Sequence, residues 1–585
     1  MTTLAVDTQF QAKTKREQDV SLVGQMRTER ASFTSHWGDI ADYILPRRAR
    51  FNTTDVNKGD KRNQKIIDGT ATLAQRTLKS GMMAGLTSPA RPWFRLTVPD
   101  DDLSEVPSVN IWLHDVTKRM NTVMLKSNLY NSLPQVYGDM GNFATGCMFV
   151  EPDAEKVFRT YVFPIGSYML ANDDKNRVRV FAREFRLTVR QVIMKFSVIA
   201  DDGKPDMRNI SQHVIDLWKQ GQTEVWVEIC HIIQPNPDYN PNKSHSKYKK
   251  YVSRYYEVGT SGATNGTGYV GKEYDVYLNE AGYDYFPILA PRWQTTGEDV
   301  YGTDCPGMTA LGDVRQLQVE QKRKAQGIEK GINPAMVAPT SMRKAKTSII
   351  AGDVTFTDER EGTKGFRKAH DVQLDLGNLI EDIRDIRNII RRAYYEDLFL
   401  MIAQSDRRTV TATEINERVE EKNFSLGPLL EQSNGDLYDP LIDIVYYLMD
   451  ERGMIPQAPP ELEGRDIKAE YISIMAQSQK MVGVSVLERY ASFASEICTV
   501  TQDSRAMKKT RWDEMLDDYA QRSGLDPRLT RTDEEVDELM AAEAQQAQQA
   551  RVLQGAEMAG KAAKSLSEAK LTEDSALKRL VGAKK

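Results

Sequence analysis

Residues 80–96 read SGMMAGLTSPARPWFRL, and their interpretation decides how the rest of the chain is organised. Gly81 and Gly85 have the spacing of small residues at contacts between membrane helices, and a phosphate-binding loop can contain a similar run. Basic residues precede the apolar run and Pro89 follows it, so a span of about 20 apolar residues does not exist here. The stretch therefore predicts a helix that packs closely through its glycines and then ends in a turn.

The composition of the 585-residue chain indicates several structural units with a well-solvated surface. Hydrophobic residues make up 40% and charged residues 28%, and the mean hydropathy is −0.52. No window approaches a membrane span, the N-terminus lacks the apolar segment of a signal peptide, and the four cysteines show no CxxC spacing. With 78 basic and 83 acidic residues the net charge is −5, so any contact with nucleic acid should be local or weak.

Helical periodicity dominates the first part of the chain and predicts helices over 17–45, 64–86, 107–127 and 130–144. The predicted inner face of the first helix consists of Leu22, Met26, Phe33, Trp37, Ile40 and Ile44. That of the second consists of Ile67, Leu73, Ala74, Leu78 and Met82. From 146 to about 293 the pattern changes to β-branched and aromatic runs separated by turn residues, which predicts an antiparallel β-rich region with one helix inserted near 188–199.

Motifs that carry chemistry are weak in this chain. GTGYVG (266–271) matches GxGxxG, but strand-like sequence on both sides favours a hairpin loop over a dinucleotide site. Asp100–Asp102 are interpreted as an acidic, solvated loop because no partner ligands for a metal are identifiable. GxxxxGK[ST], HExxH and a nucleophile elbow do not occur, and the six histidines do not cluster at ligand spacing. We therefore predict no catalytic residue, no metal site and no cofactor.

Two long helices are predicted over 306–330 and 375–401. The first has a narrow apolar stripe of Leu311, Val314 and Leu317 followed by the nearly all-polar EQKRKAQGIEKG, so it is too polar for a core. The second has Leu379, Ile383, Ile386 and Ile390 on one face and charges on the rest. Such charges fit either ionic contacts with neighbouring subunits or a solvated surface.

The segment after the second long helix reads MIAQSDRRTVTATEI (401–415) and predicts a polar loop that carries Arg407 and Arg408. The two arginines could contact phosphates or could be solvated. A further helix is predicted to start near Thr411, to break at 426–428 and to continue to about 453. Residues 466–523 are predicted to be helical, and the tail from about 533 is either a solvated helix or partly disordered.

Over about residues 17–525 the chain resembles the head-to-tail connector, or portal, proteins of short-tailed bacteriophages. The stretches that carry the resemblance are HWGDIADYILPRRARF, DGTATLAQRTLKSGMMAGLTSPARPWFRL, QKRKAQGIEKGINPAMVAP and TATEINERVEEKNFSLGPLLEQ. In this comparison residues 80–96 look like a family-typical helix end, with Trp93 and Phe94 anchoring the turn. The resemblance implies a ring, usually of twelve subunits, at one capsid vertex.

The fold implied by the resemblance is α+β and mainly helical, with a wing, a two-helix stem, a small α/β clip and a helical crown. The implied boundaries are wing 1–304, stem helices 305–330 and 371–401, clip 331–370, tunnel loop 402–410, wing helix and linker 411–465, crown 466–530 and tail 531–585.

The resemblance also implies sites and partners. The tunnel loop would present Gln404, Ser405, Arg407 and Arg408 to the DNA. The clip would present Arg343, Lys344 and Lys346 to the terminase and the tail adaptor. Subunit contacts of the stem would involve Glu381, Arg384, Arg387 and Arg391. Further partners would be the major capsid protein, the scaffolding protein and double-stranded DNA, with no membrane, and assembly would take place in the host cytoplasm.

Two other functions stay open at this level. One is an enzyme acting on DNA, such as a nuclease or packaging ATPase, which the missing phosphate loop argues against. The other is a different virion structural protein, such as a minor capsid or tail component.

Overall fold

The protein was examined as a computed structural model. It describes residues 14–54, 59–99, 106–199, 205–207, 209–258, 277–333, 336–337, 343, 367–368, 376–404, 427–462, 464–472, 487–498, 509–512, 514–516, 519 and 533–568. The chain divides into two compact units. The larger takes in the described parts of Met1–Thr97, His114–Gln457 and Ile467–Gln479, and the smaller those of Val98–Leu113, Ala458–Asp466 and Lys480–Lys585. Helices and strands are mixed, which confirms the α+β class.

The four predicted N-terminal helices are present. They are α1 (Lys15–Tyr43), α2 (Thr70–Leu86), α3 (Pro107–Lys126) and α4 (Leu129–Phe143). A capping box starts α1, in which the Thr14 hydroxyl accepts from the amide of Glu17 and the Glu17 carboxylate accepts from the amide of Thr14. The fourth ends where Ala144 adopts a left-handed conformation.

The predicted start and inner face of the second helix are partly wrong. It starts at Thr70 rather than at residue 64, with Gly69 as the N-cap residue, and the carboxylate of Asp68 just before it accepts from the Thr70 amide at 2.9 Å. Ile67 and Leu73 are 54% and 59% exposed. The inner face is instead formed by Ala71, Ala74, Gln75, Leu78, Gly81, Met82, Gly85 and Leu86.

The predicted antiparallel β-rich region is confirmed in its described part, where the largest sheet has five strands. Its strands are β4 (Tyr168–Asn172), β5 (Val178–Thr188), β8 (Trp226–Pro235), β9 (Tyr251–Glu257) and β10 (Asn279–Tyr283), in the order β10-β9-β8-β5-β4. A second sheet has the order β11-β2-β3, with β2 at Met148–Asp153, β3 at Val157–Val162 and β11 at Ile288–Leu289. The short strands β6 (Val198–Ile199) and β7 (Pro205–Asp206) pair with each other.

Helices cover both faces of the five-stranded sheet. On one face Val23 and Met26 of α1 join a buried cluster with Cys230 and Ile232 of β8. On the other face Ile229 packs against the predicted inserted helix, now α5 (Val189–Phe196), and against a further helix, α6 (Gln212–Lys219). The alternation of Ile229 with Cys230 along one strand is the period-2 pattern of a sheet buried on both sides.

The next elements are α7 (Pro306–Thr309), α8 (Leu311–Ile332), β12 (Met336–Val337), β13 (Arg367–Lys368), α9 (Leu376–Ala393) and α10 (Glu396–Gln404). Helical residues then run from 427 to 451 and include a π-helical turn at Asn434–Tyr438 followed by α11 (Asp439–Glu451). The predicted single helix over 375–401 is therefore wrong in one respect, because it breaks at Tyr394–Tyr395 where Tyr395 has a φ of +54°.

The prediction of helix from residue 466 onward is also wrong at its start. Lys468–Tyr471 form β14, which pairs antiparallel with β1 (Phe94–Thr97). The strand forms because it pairs with β1. Since β1 lies some 370 positions earlier in the chain, no local pattern reveals this pairing.

The described part of the smaller unit includes the first residues of α3 (107–113), a short 3-10 turn (Pro460–Leu462), α12 (487–498) and α13 (Asp533–Glu568). The side chains described on α13 are exposed, which agrees with the solvated-helix alternative for that part of the tail. The GTGYVG motif, Asp100–Asp102 and the start of the helix predicted near Thr411 lie outside the described residues. Among the described helices, none combines the length and apolar character needed to cross a bilayer.

Candidate subunit interface

The two long helices α8 and α9 pack against each other. Their apolar stripes are buried: Leu311, Val314 and Leu317 on α8, and Ile383, Ile386 and Ile390 on α9. The strands β12 and β13 lie between α8 and α9 in the chain and pair antiparallel, so the chain leaves along α8 and returns along α9. These apolar side chains are therefore already buried within the chain, and mainly charged and polar side chains remain on the outside of the helix pair.

A buried polar cluster holds this helix pair on the residues that precede α2. The Gln318 side chain accepts from the amides of Ile67 and Asp68, both at 2.7 Å, and donates to the Asp68 carbonyl at 3.0 Å. The Asp68 carboxylate accepts from Gln321 of α8 at 3.0 Å and from Arg387 of α9 at 2.7 Å. Asp68 thus contacts both helices, and we call Asp68, Gln318, Gln321 and Arg387 the Asp68 cluster.

The charge on Asp68 is stabilised in this setting. Burial opposes ionisation, but hydrogen bonds from Thr70 and from the Arg387 guanidinium outweigh it, and the pKa of Asp68 lies below its ordinary value of 3.8. A charged carboxylate that bridges two helices and a helix start fixes their relative positions.

The predicted subunit-contact residues divide into two groups. Glu381 and Arg384 are exposed on α9. Arg387 pairs with Asp68, and Arg391 lies 3.5 Å from the Glu396 carboxylate across the break between α9 and α10. Two of the four side chains thus have ionic partners inside the chain, and two present their charges outward.

Exposed apolar side chains lie among the charges of the helix pair. Val319 and Ile328 of α8 are 48% and 40% exposed, and Ile389 of α9 is 48% exposed. Isolated exposed residues of this kind are ordinary on a monomer, and here they lie among charged side chains, so the outer surface of the helix pair is of mixed apolar and charged character. Sequence reasoning placed the charges here and missed these side chains, because they lie off the main stripe.

The break between α9 and α10 is anchored to α4 and to residues 80–96. Tyr394 is fully buried and its hydroxyl donates to the Asn142 side chain of α4 at 2.8 Å. Five residues later Phe399 of α10 lies against Gly81 of α2, where a Cβ atom would come within 2.2 Å of its ring. The predicted close packing through a glycine of residues 80–96 is therefore confirmed at Gly81.

The turn after α2 is held by aromatic side chains. Trp93 and Phe94 are 1% and 0% exposed, as expected for anchors of the turn. Thr87, which caps α2, is hydrogen-bonded to the Tyr137 hydroxyl at 2.8 Å, and Tyr137 is bonded in turn to Tyr438 at 3.0 Å. This chain connects the turn to the π-helical segment.

The remaining predicted site residues are only partly described. Gln404 is the last residue of α10, and Ser405, Arg407 and Arg408 lie outside the described residues. Arg343 is exposed, whereas Lys344 and Lys346 lie outside the described residues. In the part of the chain that is described, no group of three His, Cys, Asp or Glu residues could hold a metal ion.

The buried cysteines have the properties of core side chains. Burial raises the pKa of Cys230 and that of Cys305 to about 12, which keeps both thiols protonated near neutral pH. A thiol acts as a nucleophile in its ionised form, so neither site is set up for nucleophilic chemistry.

Comparison with known proteins gives matches along most of the chain. The model of the family "Bacteriophage head to tail connecting protein" matches residues 17–530. The chain is 43% identical over 572 residues to the portal protein of Salmonella phage epsilon15, covering 98% of this chain and 99% of that relative. It is 38% identical over 553 residues to the probable portal protein of Bordetella phage BPP-1, covering 94% and 95% respectively. The matched range includes residues 80–96, α8 and α9.

Proposed function

Because the chain belongs to the family of bacteriophage head-to-tail connecting proteins, we propose that it is a portal protein. Copies of it form a ring at one vertex of the virion capsid, and the ring is the channel through which double-stranded DNA is packaged and ejected. The observation that carries this proposal is the near full-length similarity to portal proteins, at 43% identity over 98% of the chain.

The helix pair α8–α9 supports the ring. Its apolar stripes are satisfied within the subunit, while Glu381, Arg384 and the exposed Ile389 remain on its outer surface. Copies arranged head-to-tail about an axis bury such mixed surfaces when the rotation closes. We take twelve as the number of copies, which is usual for portals.

The subunit is divided in the proposal as follows. Residues 1–304 and about 411–465 are the wing, 305–330 and 371–401 the stem, and 331–370 the clip. Residues 402–410 are the tunnel loop, 466–530 the crown, and 531–585 a tail. The clip, with Arg343, Lys344 and Lys346, docks the terminase during packaging and later the tail adaptor, and the wing contacts the capsid and scaffolding proteins.

The electrostatic character of the chain suits a conduit. DNA has to slide, and a lumen lined with many lysines and arginines would retain it through counterion release. The net charge of −5 avoids this, and Arg407 and Arg408 of the tunnel loop, repeated around the ring, act as a local brake on backward slip.

The alternative within the virion is a minor capsid or tail component. Copy number separates the two functions, because a portal occurs about a dozen times per particle in one ring. Quantitative mass spectrometry of purified virions should give about a dozen copies of the chain. A label attached to its C-terminal tail should be seen at one capsid vertex only. Copies at several vertices, or in the hundreds per particle, would exclude the portal function.

The enzymatic alternative is tested on the same purified protein. A portal needs no nucleotide hydrolysis of its own, so ATP hydrolysis and nuclease assays should give only background rates. Hydrolysis that co-purifies with the chain, and that is lost when a residue of the chain is substituted, would favour a packaging ATPase or a nuclease.

A further inference from the structure

Basic residues are concentrated in the connection between β8 and β9, residues 236–250, which we call the basic loop. Lys243, His245, Lys247, Lys249 and Lys250 occur within eight consecutive positions. The chain as a whole carries a net charge of −5, so this concentration runs against the average. A local basic cluster is the kind of surface through which an acidic protein can still contact a polyanion.

The basic loop is held in a fixed conformation. The side-chain amide of Asn236, which is 9% exposed, donates to the carbonyls of Lys247 and Lys249 at 2.9 and 2.8 Å. The Asn236 amide also donates to the Lys250 carbonyl at 2.9 Å. Gly282 of β10 packs so closely on the loop that a Cβ atom there would lie 2.5 Å from the Ser246 carbonyl oxygen. The lysines therefore project from an ordered backbone.

Most of the charge of this loop is not neutralised inside the described part of the chain. Lys249 pairs with Asp284 at 3.0 Å, and Asp238 is taken up by Lys15. The ammonium groups of Lys243 and Lys247 lie 4.2 and 5.1 Å from the centre of the Tyr248 ring. Within the described residues, neither of them nor Lys250 forms an ion pair.

Strand register brings the turn before β5 to the same end of the sheet. β5 runs antiparallel to β8 with Phe181 opposite Ile233, so the start of β5 lies beside the end of β8. This turn carries Lys175 and Arg177, both exposed, but also Asp173 and Asp174, so it adds no net charge. The excess of positive charge at this end of the sheet therefore lies in the basic loop itself.

We propose that the basic loop binds the phosphate backbone of double-stranded DNA without regard to sequence. Lysine ammonium groups are point charges, and phosphate contacts of this kind fix position without reading bases. Lysines are depleted at protein–protein interfaces, which argues against a protein partner. This contact goes beyond the channel of the proposed function and does not depend on it.

The expected binding is weak for one subunit and strongly dependent on salt. Three lysines on phosphates give a slope of about −2.7 for the logarithm of the binding constant against that of the salt concentration, since each contributes about −0.9. Between about 50 and about 200 mM salt this amounts to a loss of about 40-fold in affinity. In a ring the repeated loops would add avidity.

The test uses the purified full-length chain and covalently closed circular duplex DNA, which cannot thread through a ring. Binding is measured by filter retention against salt concentration. The variant Lys243→Gln/Lys247→Gln/Lys250→Gln is compared with Lys126→Gln/Lys156→Gln/Lys219→Gln, in which three exposed lysines outside the basic loop are neutralised. Circular dichroism and oligomer mass show whether each variant retains the native fold.

We expect the loop variant to weaken binding at least about tenfold and to reduce the salt slope by about 2 to 3, while the control stays within about twofold of the parent. Equal weakening in both variants would overturn the proposal, because only net charge would then matter. Retention of binding by the folded loop variant would also overturn it. So would a loop-dependent interaction with poly-glutamate but none with the duplex, which would assign the surface to an acidic protein. Failure to form a ring would count against the proposed function and leave this measurement valid.

Discussion

Phe399 lies directly on Gly81, with its ring and its own Cβ atom at 2.2 to 2.4 Å from where a Cβ of residue 81 would stand. The contact joins α10, which leads towards the predicted tunnel loop, to α2 in the larger unit. Helices can approach this closely only when one of them lacks a side chain at the contact. Gly81 of the stretch SGMMAGLTSPARPWFRL is therefore required for the packing of α10, the helix that follows α9.

Substitution Gly81→Ala should destabilise the protein. The new methyl group would meet the rigid stem of Phe399 rather than a flexible side-chain end, and overpacking of this kind costs about 1–3 kcal/mol. Urea unfolding monitored by circular dichroism measures the change. The matched control is Gly24→Ala in α1, where nothing lies within 4 Å of the new atom and alanine should be neutral or stabilising. Equal effects of the two substitutions would refute the packing argument.

Substitution Asp68→Asn should loosen the Asp68 cluster. Asparagine keeps the shape but loses the charge that Arg387 binds, and hydrogen bonds to charged groups contribute about 1.5–3 kcal/mol. Hydrogen exchange should rise in α8 and α9, and unfolding should need less denaturant. Lys15→Ala, which breaks a surface pair with Asp238, is the control and should cost less than about 1 kcal/mol.

The pH dependence of this effect has a definite sign. The pKa of Asp68 is lower in the folded chain than its ordinary value of 3.8, so the charge stabilises the fold above that pH and the contribution is lost as the pH falls through the folded pKa. The difference between the parent and Asp68→Asn should therefore be constant near neutral pH and shrink below about pH 4. A difference that persists unchanged at low pH would show that the charge is irrelevant.

His231 should make the fold less stable at mildly acidic pH. It is stacked on Tyr255 and bonded to Ser253, and burial followed by the nearby Arg183 and Lys195 holds its pKa well below 6.5. The unfolded chain binds a proton below about pH 6.5 that the folded chain does not, so stability should fall by about 1.4 kcal/mol per pH unit. The variant His231→Gln should show a smaller slope than the parent between pH 7 and 5, by about 1.4 kcal/mol per pH unit below about pH 6.5, and equal slopes in the two proteins would contradict this.

Some parts of this structure could be predicted from local sequence. The helical spacing of Met26, Trp37 and Ile40 identified α1, and β-branched and aromatic runs identified the antiparallel β-rich region, because burial on one face imposes a period on the chain. The number and order of the strands were not predicted. The glycine contact at residue 81 was predictable as close packing, although its partner was not.

Other parts depend on contacts between distant residues. Asp68 and Arg387 are 319 positions apart, so the Asp68 cluster leaves no local pattern. Likewise Lys468–Tyr471 become a strand because Phe94–Thr97 pair with them, and the break at Tyr394 follows from its bond to Asn142. In each case tertiary contacts outweigh local propensity.

Substitution of both Arg407 and Arg408 by alanine tests the predicted brake of the tunnel loop. If these side chains contact the DNA backbone, packaged particles should lose DNA more readily, and the packaged genome should shorten, while ring formation stays intact. Pulsed-field gels of packaged DNA and release assays measure both quantities. Arg76→Ala on the exposed face of α2, away from the proposed subunit contacts, is the control, and unchanged retention in the double variant would exclude the brake.

The central claim is that copies of this chain assemble in a closed ring, and native mass spectrometry of the purified full-length protein tests it most directly. The account predicts one dominant species at about twelve times the subunit mass of 66.3 kDa, seen by electron microscopy as an annulus with an open centre. The claim would be contradicted if the purified protein formed only monomers and dimers, or open filaments of variable length, at every concentration tested.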